Sequence, residues 1–221
     1  MRLIVFDMDG TLVDSGVHIE NTTMAAFAEH DLPLPTSEAA RGIIGLSLEN
    51  ALARLSGLTG PAVDRLATTY RRLYHQSIAH LDTEPLYAGI AGVLDALKAD
   101  SATLMGIATG KGMRGVDRIL KFHGLETHFV TKQTPDSNPS KPDPGMLISA
   151  MKETGTTPEQ TVMIGDTSFD MEMARAAGCF ALGVNWGYHS PEVLRATGAH
   201  VIVDQVPDLV SAINALVKTD A

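Results

Sequence analysis

The stretch 5-VFDMDGT-11 closes a short apolar run on two carboxylates, Asp7 and Asp9, and follows them with Gly10 and Thr11. Asp-Gly between apolar runs is a strong hairpin signal. A hairpin needs a returning strand, but Val13 is succeeded by Asp14-Ser15, a better helix N-cap than a ladder partner. Leu3 to Phe6 therefore reads as a strand that ends in a loop at its carboxyl edge, where ligands of open α/β sheets bind. With the two-residue period of a strand, Asp7 and Asp9 face one site. Two carboxylates about 5 Å apart repel by about 3 kcal/mol at an effective dielectric near 20. Either one of them holds a proton or a cation sits between them. Both arrangements serve an enzyme. An ionised aspartate is a nucleophile towards phosphorus, and a neighbour of raised pKa can protonate a departing oxygen.

Beyond this stretch, short apolar runs recur: Leu104 to Ala108, Phe129 to Thr131, Val162 to Ile164, Ala181 to Val184 and Val201 to Val203. Between them lie segments of helical spacing, such as Val116, Ile119, Leu120 and His123 before Gly124, or Met146, Leu147, Ala150 and Met151 before Gly155. Leu209, Val210, Ile213, Leu216 and Val217 form a last helix. The alternation predicts βαβ units on a doubly wound parallel sheet, an α/β fold. Residues 16–86 break it. Leu48, Leu52 and Leu55 share one helical face, Val63, Leu66, Tyr70, Leu73 and Tyr74 another, and no strand pattern intervenes. Residues 16–86 are therefore expected to be an inserted all-helical cap, and residues 1–15 with 87–221 the α/β core.

The bulk composition narrows the partners. In 221 residues, 17 Lys and Arg stand against 26 Asp and Glu, for a net charge of −9 without a basic run, so neither nucleic acid nor an anionic membrane is an expected partner. Asp7 interrupts the first apolar run before a signal peptide's apolar region is complete, and no window approaches the roughly 18 apolar residues of a membrane span. The single cysteine, Cys179, forms no internal disulfide and reads as core filler, so the expected compartment is the cytoplasm.

Three later apolar runs end in chemistry-bearing residues. Thr109, in LMGIATGK, lies between a strand and a helix, so that its hydroxyl and the Gly110 amide can hold an anion. The same segment is not a P-loop, because only three residues separate Gly106 from Gly110 and Gly112 stands where Ser or Thr belongs. Lys141, in PSKPDPG, has a backbone fixed by neighbouring prolines, a rigid pedestal for a side chain that must reach a fixed point. Asp166 and Asp170, in MIGDTSFD, follow a buried-looking strand; the first suits a hard cation, and the second a helix start or the lysine. Carboxylates, a hydroxyl, an ammonium and further carboxylates at successive strand ends make a phosphoryl-transfer inventory.

In VFDMDGTLVDS, GIATGK, SKPDP and GDTSFD the chain resembles the haloacid dehalogenase superfamily, specifically its phosphatases with a helical cap after the first strand. LYAGIAGVLDAL is similar to that family's return from the cap, and the nearest subgroup is that of the phosphoglycolate phosphatases. The resemblance implies a Mg²⁺-dependent hydrolysis of a small phosphorylated metabolite, with 2-phosphoglycolate as candidate. It implies that Asp7 attacks phosphorus and becomes an aspartyl-phosphate, while Asp9 protonates the leaving alcohol and then activates water. Thr109, Gly110 and Lys141 would hold the phosphoryl group. Mg²⁺ would lie on the Asp7 carboxylate, the Asp9 carbonyl and Asp166, with Asp170 in support. Many relatives carry Asn where this chain has Gly110.

Two alternatives share parts of this inventory. A phosphomutase of the β-phosphoglucomutase type carries a histidine ten positions after the second aspartate and an arginine in the cap loop, where this chain has Ile19 and Leu48. A receiver-like, non-enzymatic module places its acids on different strands and lacks a cap. Arg41, Lys111 and Arg114 are candidates for a substrate carboxylate, and Trp186, Gly187, Tyr188 and His189 for the rim of the site.

Overall fold

The computed structural model describes residues 1–78 and 84–218, so residues 79–83 of the expected cap lie outside the described residues. Among the described residues, six strands form one sheet: β1 (Arg2–Phe6), β2 (Thr103–Ala108), β3 (Thr131–Gln133), β4 (Thr161–Gly165), β5 (Phe180–Val184) and β6 (Val201–Val203). All pairings are parallel, in the order β3-β2-β1-β4-β5-β6. The chain builds outward from β1 to β3, then crosses to β4 and builds the other way. The crevice at the carboxyl ends of β1 and β4 is thus the topological switch point.

Alternation along the strands divides the core in two. Ile4, Phe6, Ile107, Ile164 and Leu182 bury one face with residues of α5 (Ile90–Ala99), α6 (Met113–Phe122) and α10 (Leu209–Leu216). Leu3, Val5, Met163 and Ala181 bury the other with α7 (Gly145–Thr154), α8 (Ser168–Ala176) and α9 (Pro191–Ala196). Covered on both sides, these strands read as continuous apolar runs, as parallel sheets require.

Between β1 and α5 lie α1 (Gly16–Glu29), α2 (Ser37–Arg41), α3 (Leu48–Ser56) and α4 (Pro61–Ile78). They bury a separate apolar cluster of Ala26, Phe27, Leu52, Val63, Leu66, Ala67 and Tyr70. The chain leaves and re-enters the sheet domain along one short seam. Val13 bridges Leu86 antiparallel, the Asp14 amide donates to Pro85 O (2.8 Å) and the Tyr87 amide to Leu12 O (3.0 Å).

Two local expectations are corrected. The third strand is Thr131–Gln133 rather than Phe129 to Thr131. Phe129 instead turns into the core, edge-on to Phe6 at 6.4 Å between ring centroids. Ser15 precedes α1, yet its side chain makes no cap bond; its hydroxyl donates to Asp9 Oδ1 at 2.6 Å. The carboxylate outcompetes the helix amides, since bonds to a charged acceptor are the stronger ones.

Candidate active site

β1 delivers Asp7 to the switch point, where its amide still donates to Ile164 O of β4 (2.9 Å). Its carboxylate is fully buried. Oδ1 accepts from the Met8 amide at 2.7 Å and lies 3.0 Å from Lys141 Nζ, whereas Oδ2 has no partner. Lys141 Nζ also donates to Asp170 Oδ1 at 2.6 Å. Asp170 is the third residue of α8 and serves the helix as well: its Oδ2 accepts from the Thr167 amide (3.0 Å) and hydroxyl (2.7 Å), completing a capping box. Helix start and lysine partner, the two roles open to Asp170, are both filled by its two oxygens. Asp166 Oδ1 accepts from Thr11 Oγ1 (2.8 Å) and Oδ2 from the Tyr188 amide (2.9 Å).

Asp7, Asp166 and Asp170 each present a carboxylate oxygen within 4.8 Å of the others, all buried. Burial pushes the Asp7 carboxyl up to about 7 against the pull of Lys141, and burial with the charges of Asp170 and Asp7 raises Asp166. Lys141 is held cationic, because Asp170 and Asp7 together outweigh its burial. The space these acids occupy is made by glycines. A Cβ at Gly10 or Gly187 would overlap the Asp166 side chain, and one at Gly165 would overlap Asp170. Three acids around one ammonium, with an orphaned oxygen, form a hard donor set that fits a divalent cation such as Mg²⁺.

Asp9 takes a different direction from Asp7. β1 ends at Phe6, and Gly10, at φ 84°, turns the chain back so that its amide donates to Val13 O (2.9 Å). Asp9 Oδ1 accepts from Ser15 and lies 3.2 Å from Lys111 Nζ. That lysine also contacts Glu84 Oε1 (3.2 Å) and Tyr74 OH (3.1 Å). Arg118 pairs with Glu84 Oε2 at 2.5 Å, and Tyr74 OH donates to Oε1. Asp9 and Glu84 outweigh burial and keep Lys111 charged. The predicted repulsion between the two acids is thus met by a separate lysine for each, Lys141 for Asp7 and Lys111 for Asp9.

This corrects the expectation that Lys111 is free for a substrate carboxylate. Arg41 is likewise engaged, with Glu20 at 2.8 Å, and Arg114 is exposed. Glu84 and Thr11 have no assignment from sequence, and Ser15 and Tyr74 read there only as a helix cap and as part of an apolar helical face. Thr11 stands inside the opening heptapeptide, and its hydroxyl is the signal that could have been used. Nothing in the spacing marks Glu84.

Thr109 follows β2, whose register pairs Phe6 with Ile107, so it stands beside the Asp7–Asp9 turn. It is buried; its amide donates to Gln133 O (3.2 Å) and its Oγ1 accepts from the Lys111 amide (3.3 Å). Gly110 is packed by the loop between α2 and α3. A Cβ there would strike the carbonyl oxygens of Gly45 (2.6 Å) and Leu46. The same loop reaches the Lys141 segment, where Ser140 Oγ accepts from the Ser47 amide (2.8 Å), and approaches His189 Nε2 through Gly42 O (3.4 Å). Trp186 Nε1 donates to Thr11 O at 3.1 Å, so the segment after β5 borders the site through Trp186, Tyr188 and His189. Over Asp9 and Gly110 opens a cavity of about 390 Å³ between the helical insertion and the sheet domain. Among the described residues, no helix is long and apolar enough to cross a membrane.

The sequence profile of the Haloacid dehalogenase-like hydrolase family matches residues 4–184. "Probable phosphatase IndB" of Dickeya dadantii is 33% identical over 98% of this chain and 95% of its own. The N-acetylmuramic acid 6-phosphate phosphatase of Pseudomonas aeruginosa is 31% identical over 97% and 95%. A crystal structure of a hydrolase from Pseudomonas syringae superposes with a TM-score of 0.88 at 24% identity, covering 99% of this chain and all of that one, a likeness of fold.

Proposed function

The chain belongs to the haloacid dehalogenase-like hydrolases and is a phosphatase, and on that premise we propose that it hydrolyses a small phosphomonoester through a covalent intermediate on Asp7, with Mg²⁺ as cofactor. The observation that carries this reading is the Asp7 carboxylate: buried at the switch point, held on one oxygen by Lys141 and the Met8 amide, and without a partner on the other.

In the first step an Asp7 oxygen bonds to phosphorus as the ester P–O bond breaks, and Asp9, which lines the cavity, gives its proton to the leaving alkoxide. In the second, Asp9 takes a proton from water, whose oxygen bonds to phosphorus as the bond to Asp7 breaks. Alcohol and inorganic phosphate are released. Thr109, the Gly110 amide and Lys141 steady the phosphoryl oxygens. Asp7, Asp166 and the Asp9 carbonyl would hold Mg²⁺, with Asp170 in support; the ion would supply positive charge against the transferring phosphate. Residues 16–86 act as a cap that excludes bulk water over this chemistry.

Water as final acceptor is favoured over a sugar. Ile19 and Leu48 put apolar side chains on the cavity wall, at the positions where the mutase pattern has a histidine and an arginine. The substrate panel that tests the proposal includes 2-phosphoglycolate, nominated by the sequence resemblance, and N-acetylmuramic acid 6-phosphate, nominated by a relative's name. Purified protein with Mg²⁺ is expected to release phosphate catalytically from at least one ester and Asp7→Asn from none. Turnover unchanged in Asp7→Asn contradicts the proposal.

A further inference from the structure

The cavity above Asp9 and Gly110 carries its own chemistry on wall and floor. Ile19, Ile43, Ile44, Leu52 and Tyr70, all buried, form an apolar wall supplied by the helical insertion. The floor holds oxygen acceptors and balanced charge. Asp9 is matched there by Lys111, whose ammonium it shares with Glu84 outside the cavity lining, and the carbonyl oxygens of Gly45 and Leu46 crowd Gly110. At the rim, Arg71 is already paired with Glu49, while Arg114 and His75 are exposed. Among the described residues, no buried cation of this cavity is left without a carboxylate partner.

From this arrangement we infer that the leaving alcohol is an uncharged, ring-sized compound bearing hydroxyl donors, and not a short carboxylic acid; the inference rests on the phosphatase reading above and concerns the same site. Three observations converge on it. A cavity of about 390 Å³ is of the size that encloses a cyclic ligand, and a two-carbon acid would leave most of it unfilled. A carboxylate deep in this cavity would meet the carbonyl oxygens of Gly45 and Leu46 and a Lys111 already shared between Asp9 and Glu84, and a buried charge without its own partner is strongly disfavoured. Hydroxyls can donate to those same acceptors while the ring's carbon face lies on the apolar wall.

The Gly110 position deepens the case. An asparagine there would offer an amide donor to an anionic substrate group. In this chain the loop carbonyls fill that space, so an acceptor stands where a donor would be.

The test compares kcat/KM of the full-length protein with Mg²⁺ for ribose 5-phosphate, glucose 6-phosphate and uridine 5′-monophosphate against 2-phosphoglycolate and 3-phosphoglycerate, with p-nitrophenyl phosphate as a control for phosphatase chemistry. The best ring ester is expected to exceed both acids by at least about tenfold, the scale on which pocket fit and unpaired polar groups discriminate. A smaller ratio, or a preference for either acid, overturns the inference while leaving the phosphatase reading intact. Failure to hydrolyse every ester, the control included, would overturn both.

Discussion

At Asp7, burial and charge work against each other, and that conflict makes the residue testable. Asp7→Asn is expected to lower kcat by at least about 10⁴-fold, as removal of a nucleophile does, while the folded far-UV spectrum is kept. Replacing Lys141 by Met removes the single ammonium among Asp7, Asp166 and Asp170, and thermal unfolding should show a loss of about 3–5 kcal/mol, the cost of buried charge left unpaired. The metal-free protein should also respond to pH in a defined direction. The Asp7 carboxyl is raised in the fold, to about 7 from 3.8. Its contribution to stability is therefore complete below pH 4 and declines as the pH rises towards 7. Added Mg²⁺ should raise Tm at pH 7 in the wild type and not in Asp166→Asn; an equal rise in both would remove Asp166 from the cation site. These acids were legible because each follows an apolar run directly. The partners Lys111 and Glu84 were not, since Lys111 reaches Asp9 across 102 positions of the chain and Glu84 joins only through Lys111, and no local pattern encodes it.

Among the elements, the loop between α2 and α3 and the loop after β2 interlock at Gly110. Gly110→Asn places a side chain on the Gly45 and Leu46 carbonyls and should displace that loop, costing roughly 1–3 kcal/mol and raising KM more than it lowers kcat. An unchanged KM would show that the loop yields without consequence for the substrate. The strand and helix pattern was readable wherever apolar spacing ran on unbroken. It slipped at β3, where Phe129 is apolar for the sake of the core corner against Phe6, and the ladder itself uses Thr131, Lys132 and Gln133. It slipped again at Ser15, a good cap by type whose hydroxyl is drawn off by a buried carboxylate. In both cases a contact outside the element overrides a local preference.

For the molecule as a whole, the alternation of apolar runs was sufficient to read a parallel sheet and a helical insertion, because each part buries its own apolar cluster. Sequence spacing could not say how the two parts meet. They meet at the Val13–Leu86 seam and at the Tyr74, Glu84, Lys111 and Arg118 node, contacts made by polar groups scattered through the chain. In the proposed mechanism this meeting encloses Asp7 for covalent phosphoryl transfer. The most direct measurement is acid quenching of the wild type during steady turnover of a good ester with Mg²⁺, followed by peptide mass spectrometry. A phosphoryl adduct, labile to hydroxylamine, is expected on Asp7 in the peptide containing VFDMDGT, and none in Asp7→Asn. An adduct on another residue, with Asp7 unmodified, would contradict it.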